Sequence, residues 1–444
     1  MRIFSVILVL SSSFSALAQD TSAYHFTFPD STFHISEIIF VGNETTKEYI
    51  LNHEMTLHQG DLLTHQQLKY DIDRIYSLRL FTKVKAEIIP QMDSTTATLI
   101  IDLHERWYFY PYPNFGFRDR AWSKFYYGFG VVHTNVGGRN VRVLGEFGAG
   151  YDPYVLLNYY NPFIDIENAI SLSLSGYYKE QRNKSLISLQ TSSNFYEKQL
   201  AFTAGVGKRY SLYSNTFVSF DFLRLSVSDN KAGRTLSATG TDQFFSCNVS
   251  YSYDTRDLRE YPRLGTLFSL GVSKVGLFHQ EVDYQRFGFD FRRFIPMYFD
   301  IVTAGRIFGN LSWGGRIPNY GHTFFGYNER IRGHFSTILE GEQILGSTIE
   351  THFPIIAPRY VRFDYIPFEQ FRDIRYALNV ALFADAGSTW MRERAVSLND
   401  VYSGYGFGLH LLFAYSAILR LEFGIPYGKN FSNGELILDF GSAL

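Results

Sequence analysis

Residues 324–335 read FFGYNERIRGHF, and between Gly326 and Gly333 that stretch crowds Glu329, Arg330 and Arg332 into a chain whose flanks alternate oily and polar residues. Charges so placed anchor or steer: a guanidinium in a confined site needs carboxylates, because an unpaired buried charge is costly. Two later acids have suitable parity. In NVALFADAG, Asp385 shares a face with Asn379, Ala381 and Phe383, opposite Leu378, Val380 and Leu382. In STIETHF, Glu350 opposes Ile349, Thr351 and Phe353. If the loop turns into an enclosed interior, Glu350 and Asp385 face it and can anchor Arg332 through charge-assisted hydrogen bonds. The alternative is a solvated pair of little energetic weight.

Catalytic chemistry is thin by comparison. No G-x-S-x-G elbow, phosphate-binding glycine loop or Cys/His metal cluster occurs. HEMTLH spaces His53 and His58 five apart rather than the four that put both on one helical face for zinc, so both read as surface residues. The expectation is no enzyme, no cofactor and no metal.

The elements that position the loop follow from composition. The chain has 444 residues, 45% hydrophobic and 18% aromatic, with 42 Phe and 32 Tyr. That aromatic load exceeds what a soluble core of this size needs. A net charge of -2 gives no basic footprint for nucleic acid, and a single cysteine, Cys247, rules out an intrachain disulfide framework. Arg2, the apolar run Ile3–Leu10 and the small residues to Ala16-Leu17-Ala18 fit a secretory signal over 1–18, cleaved before Gln19. A membrane anchor is the alternative, but the run falls short of the roughly 20 residues a spanning helix requires. No later run is long enough either. An exported, aromatic-rich chain without membrane helices points to a closed barrel, since only helices and closed barrels satisfy every backbone group in lipid.

Two parts are legible. From 34 to 105 the order is strand, helix, helix, strand, strand. ISEIIFVGN reads as a strand ending in a turn at Gly42-Asn43, and TTKEYILNHEM as a helix opened by Thr45 or Thr46. THQQLKYDIDRIYSLRL carries Leu68, Ile72, Ile75 and Leu78 at helical spacing behind Thr64, a suitable N-cap, and a strand pair follows. From 107 to 444 the period switches to two. Phe287, Phe289 and Phe291 oppose Arg286, Asp290 and Arg292; Leu419, Leu421, Phe423 and Ile425 oppose Arg420 and Glu422; Leu436, Leu438 and Phe440 oppose Glu435 and Asp439. About sixteen such strands of roughly 10 residues can be traced, more than a soluble sandwich carries, and single-chain barrels take even strand numbers. WYFYPYPNF, KFYYGFG and LNYYNPF would then form aromatic girdles at the membrane interfaces. The expected fold is mainly β: a 16-stranded antiparallel transmembrane β-barrel after one small α+β unit.

These residues resemble a known family. Ile38, Val41-Gly42-Asn43, Ile50, Gly60-Asp61, Leu68, Leu80-Phe81, Val84 and Glu105 look like a POTRA domain, the periplasmic module of BamA/TamA-type outer-membrane assembly proteins. In the barrel, YDTRD with Asp254, Arg256 and Asp257, followed by Gly265 at the start of the next strand, resembles the same superfamily. ERIRGHF resembles its Val-Arg-Gly-Phe/Tyr loop, with Ile331 at the first position, Arg332 and Gly333 retained, and His334 in place of the aromatic. STIETHFPI and FADAGSTW resemble the strands after that loop, where the family places the arginine's partners. The chain ends in DFGSAL rather than Phe or Trp, and Leu444 has the parity to serve as an apolar terminus.

The resemblance implies a bacterial outer-membrane protein that inserts or translocates other proteins without ATP. Its POTRA edge would capture an extended client by strand addition, and the Arg332 loop would control passage. The partners implied are unfolded or extended client proteins and outer-membrane lipids. Accessory assembly proteins stay open, although one POTRA unit argues against recruiting many. Other functional classes are a translocator dedicated to one secreted substrate, and a passive channel or surface antigen.

Overall fold

The computed structural model describes residues 21–22, 33–92, 95–118, 122–190, 194–278, 281–367, 372–394, 396–413 and 417–440. The signal expected over 1–18 and the terminal Leu444 lie outside them.

The N-terminal unit comprises β1 (His34–Val41), α1 (Glu48–Asn52), α2 (His65–Tyr76), β2 (Phe81–Pro90) and β3 (Thr96–Glu105). Central β3 pairs parallel with β1 and antiparallel with β2, so β1 and β2 are the sheet edges. The helices cover one face. Thr64 caps α2 by accepting the Gln67 N–H at 3.3 Å, and Leu68, Ile72 and Ile75 descend one side onto Val84, Ala86, Leu99, Ile101 and Leu103. The first helix differs from expectation. It begins at Glu48 without a side-chain cap, because the N–H groups of Thr45 and Thr46 are taken by the Glu105 carboxylate at 3.1 and 2.7 Å. Those threonines close the unit onto its last strand instead of opening a helix.

Sixteen strands then follow in sequence order: β4 (Phe109–Phe117), β5 (Phe125–Val136), β6 (Val141–Gly150), β7 (Tyr154–Asp165), β8 (Ile170–Arg182), β9 (Tyr196–Arg209), β10 (Ser214–Val227), β11 (Thr241–Asp254), β12 (Gly265–Val275), β13 (Tyr284–Pro296), β14 (Val302–Gly314), β17 (Gln343–Arg362), β18 (Asp373–Trp390), β19 (Tyr402–Phe413), β20 (Ala417–Pro426) and β21 (Glu435–Phe440). Between β14 and β17 a small separate hairpin, β15 (Thr323–Phe325) with β16 (Leu339–Gly341), carries the loop that holds Arg332. Thr21–Ser22 adds a short pairing to Tyr360 and Arg359 of β17, making the sheet seventeen-stranded in all.

Why these strands sit in a bilayer is plainest in β19. Tyr405, Phe407, Leu409, Leu411 and Phe413 are exposed on the outer face, while Gly404, Gly406, Gly408 and buried His410 line the inner one. The same outward series recurs at Phe115, Phe129, Phe147, Phe202, Phe220, Phe291 and Leu438. Large apolar side chains facing out and small or polar ones facing in invert the pattern of a soluble protein, as a lipid-facing barrel wall requires.

The N-terminal unit docks on one end of the barrel. Its apolar cluster continues into Phe163, Leu258, Tyr261 and Ile418, residues of barrel strands and of the β11–β12 turn. Polar contacts fix the orientation. Tyr70 donates to the Thr255 carbonyl at 3.1 Å, Arg79 meets Glu260 at 2.7 Å, and Arg375 of β18 approaches Asp73 at 3.6 Å. Glu54 is buried with Arg74 at 2.6 Å and Arg209 at the end of β9 at 2.9 Å. Burial alone would raise the Glu54 carboxyl, but Arg259, Arg209 and Arg74 hold it below its ordinary value. His53, expected on the surface, is half-buried in this contact, its ring 4.6 Å from that of Phe163; His58 is exposed.

Candidate functional site

The loop after β15 turns at Gly326, whose φ of 102° is open to glycine, and its N–H donates to the Glu329 carbonyl at 2.9 Å. Ile331 is buried with Phe308, Phe325 and Ile344, so an apolar foot seats the loop against the inner wall. Glu329 receives both terminal nitrogens of Arg306 at 3.0 and 2.9 Å, and Arg306 also bonds Asp290 at 2.8 Å. Arg330 donates to the Tyr327 carbonyl at 2.8 Å and stacks over Phe335.

Arg332 is the centre of the site. Its Nε and Nη2 form a bidentate pair with Asp385 at 2.8 Å each, and its backbone N–H reaches the same carboxylate at 3.0 Å. Nη1 bonds Glu350, and also Glu422 at 2.8 Å. The guanidinium carbon lies 3.6 Å from the centroid of Phe383. Arg332 is 8% exposed, and all three acids are buried. Every acceptor sits on a different strand: Glu350 on β17, Asp385 on β18, Glu422 on β20. One side chain thus ties the loop to three staves of the barrel, in the geometry that makes arginine the residue for planar carboxylate recognition.

Glycine makes this approach sterically feasible. A Cβ at Gly404 would run into the Arg332 carbonyl oxygen, and one at Gly424 would lie 2.5 Å from the Gly333 nitrogen. Gly333 itself has φ of 95°, and a Cβ there would press on Ile425 at 2.7 Å. Beyond it, the His334 ring bonds the Ser403 carbonyl at 3.0 Å and meets Tyr402 edge-on. The Phe335 N–H and Ser336 hydroxyl then bind Glu435 of β21 at 2.6 and 2.9 Å.

The remaining sequence-derived residues lie apart from Arg332. Asp254 and Arg256 form a bidentate pair at 2.8 and 3.0 Å, and Asp257 accepts the N–H groups of Arg263 at 2.9 Å and Leu264 at 3.3 Å. This turn closes at Gly265, φ 108°. Burial and the neighbouring Asp73 push the Asp257 carboxyl up to about 6. In the POTRA-like unit, Gly42 has φ of 84° where a Cβ would strike the Leu103 carbonyl, and Asn43 donates to the Thr46 carbonyl at 3.0 Å. Gly60 has φ of 93° and donates to Ile35 at 2.8 Å, Asp61 accepts the His58 N–H at 2.8 Å, and Phe81 is core. These residues shape turns and hold the unit together.

The sequence reading did not single out four members of the buried network. Glu422 and His410 carry inward parity and so were visible in principle. His352 lies two residues from Glu350 on the same face and bonds it at 2.5 Å. Tyr261 reaches in from the β11–β12 turn, stacking on His352 at 4.7 Å and bonding His410 at 3.2 Å. No local signal announces that contact.

Comparison with known proteins agrees with this architecture. Residues 135–441 match the Omp85 superfamily domain, and residues 33–106 match POTRA, the surface antigen variable number repeat. A curated relative, the outer membrane protein assembly factor BamA of Nitratidesulfovibrio vulgaris, is 22% identical over 317 residues; the match takes in 68% of this chain and 38% of that protein's length. Among solved structures, BamA from Haemophilus ducreyi lacking POTRA domains 1-3 superposes with TM-score 0.53 at 15% identity, covering 92% of this chain and 83% of that one. CdiB from Escherichia coli gives TM-score 0.51 at 9% identity, covering 97% and 93%. The barrel lies in the bacterial outer membrane with the POTRA unit on its periplasmic side. The chain belongs to the Omp85 superfamily, as a barrel with a docked POTRA domain.

Proposed function

We propose that this protein inserts or translocates other polypeptides at the outer membrane, its POTRA domain receiving an extended client and its Arg332 loop controlling the lumen. The observation that carries this reading is that the Arg332 loop and the POTRA domain are each held on the barrel by a small set of charged contacts. The loop is pinned from one side by Arg332 on Asp385, Glu350 and Glu422. The POTRA domain is held against the barrel by Arg79–Glu260 and by Glu54 with Arg209.

Client capture is assigned to the POTRA sheet edges. Ile39 and Val41 on β1 and Ile89 on β2 are exposed apolar side chains on edge strands, which offer main-chain groups for pairing and side chains for grip.

The test is depletion in the native host, followed by proteomics of the outer membrane and culture medium. Loss of a defined set of barrel or secreted proteins supports the reading, and loss of one exported protein alone specifies a dedicated translocator. An unchanged outer-membrane and secreted proteome, with steady conductance of the purified protein in planar bilayers, identifies a passive channel and removes it.

A further inference from the structure

The Arg332 cluster carries more acid than the arginine can neutralise. Glu350, Asp385 and Glu422 are all buried against one guanidinium, a formal excess of two negative charges with the histidines neutral. Arg420 shares the inward face of β20, but its own carboxylate is Asp439 at 2.9 Å. Buried unpaired charge is not tolerated at that level without a compensating cation or proton.

Two imidazoles stand where a cation would go. His352 and His410, on β17 and β19, lie beside Glu350; each of the three residues offers one donor atom, and these atoms fall within 4.8 Å of one another. His410 Nδ1 is 3.9 Å from the Glu350 carboxylate, while its Nε2 lies 3.2 Å from Glu422. That arrangement fixes a tautomer, with Nε2–H donated to Glu422 and the Nδ1 lone pair turned inward. A carboxylate behind a histidine is the outer support found at metal sites. His352 turns its Nε2 to Glu350 at 2.5 Å, so this is the ring atom that would ligate, while its Nδ1 is buried on the other side.

We propose that Glu350, His352 and His410 form a binding site for a divalent cation of the zinc class inside the barrel, with the Tyr261 hydroxyl, 3.2 Å from His410 Nδ1, as the adjacent oxygen. Two imidazoles and one carboxylate form a donor set that suits Zn²⁺; donors ~2.0–2.1 Å from one such ion lie roughly 3.3 Å apart, so the 2.5 Å His352–Glu350 contact opens and the 3.9 Å His410–Glu350 gap closes around it. The +2 charge cancels the excess of the cluster. The ion would join β17 and β19 directly beneath the arginine, next to the turn on which the POTRA domain rests.

The experiment uses the full chain in detergent without a polyhistidine tag, stripped with chelator and titrated with Co²⁺ and Zn²⁺. Wild type is expected to take up one tight equivalent, with the visible absorption of low-coordinate Co²⁺ bleached by Zn²⁺ and a raised unfolding temperature. The conservative His352→Gln and His410→Gln variants should each lose at least about tenfold in affinity, whereas His58→Gln should not. Wild type that shows no such band, or a His352→Gln/His410→Gln double variant that binds as wild type does, overturns the site. The wild-type spectrum decides even if the variants fail to fold.

Discussion

Arg332 and Asp385 are joined three times over: two guanidinium nitrogens and the arginine's own backbone N–H all end on one carboxylate. The contact therefore fixes both the side chain and the path of the loop backbone. The missing side chains of Gly404 and Gly424 leave the room in which the backbone of Arg332 and Gly333 approaches the wall.

Arg332→Ala removes the guanidinium that Glu350, Asp385 and Glu422 share. It is expected to destabilise the folded barrel by ~3–5 kcal/mol. Heat-modifiable mobility in cold SDS gels should show the transition at lower temperature. Arg332→Lys should recover only part, since an ammonium cannot make the bidentate contact. Wild-type melting in both would remove the anchoring role.

Gly404→Ala leaves every charge in place but puts a methyl group into the Arg332 carbonyl. The cost of such overpacking is ~1–3 kcal/mol, and the loop is the part free to yield. Protease cleavage within 326–338 on intact cells should increase, with a matching rise in single-channel conductance. Unchanged protection would mean that the wall accommodates the methyl instead.

Docking of the POTRA domain should depend on Glu260, whose side chain is 3% exposed while its partner Arg79 is 57% exposed. Arg79→Ala takes from the buried Glu260 carboxylate its arginine across the junction, and the domain should loosen. Spin labels on the POTRA sheet and the barrel rim would then report a broader distance distribution. Since Arg79 is largely in water, the stability change itself should be small.

Two carboxylates at this junction give opposite pH signatures. Glu54 has a lowered pKa when folded, so its contribution is present above the ordinary carboxylate range and is lost as pH falls through the lower, folded value. Asp257 is raised from 3.8 to about 6, so its contribution is full below 3.8 and is lost as pH rises toward 6. Asp257→Asn, which can still accept the two N–H groups, should flatten the fall in stability between about pH 4 and 6. An identical slope in wild type and variant would contradict the assignment.

Client capture predicts a separable defect. Lysine at Ile39 and Val41 places charge on the β1 edge without touching the core, and charged edges resist strand addition. Client assembly or secretion should fall while barrel melting stays within about 0.5 kcal/mol of wild type.

Much of this was legible in one dimension because strand parity is local. Alternation alone separates Tyr405, Phe407 and Leu409 from Gly404, Gly406 and Gly408, and assigns Glu350 and Asp385 to one side of their strands. Helical spacing behind Thr64 defines α2 in the same way. The start of α1 failed that kind of reading because Glu105, distant in sequence, claims the N–H groups of Thr45 and Thr46. His53 failed likewise, since only docking brings Phe163 beside it.

The sequence by itself determined which faces are oily, which are polar and where the charged loop falls, since each depends on neighbours one or two residues away. Which acids meet Arg332, that Glu422 joins them, and that Tyr261 carries the POTRA-bearing turn up to His352 and His410 were decided by the tertiary structure. Those contacts depend on how far each strand is staggered around the barrel, and a two-residue period carries no record of height.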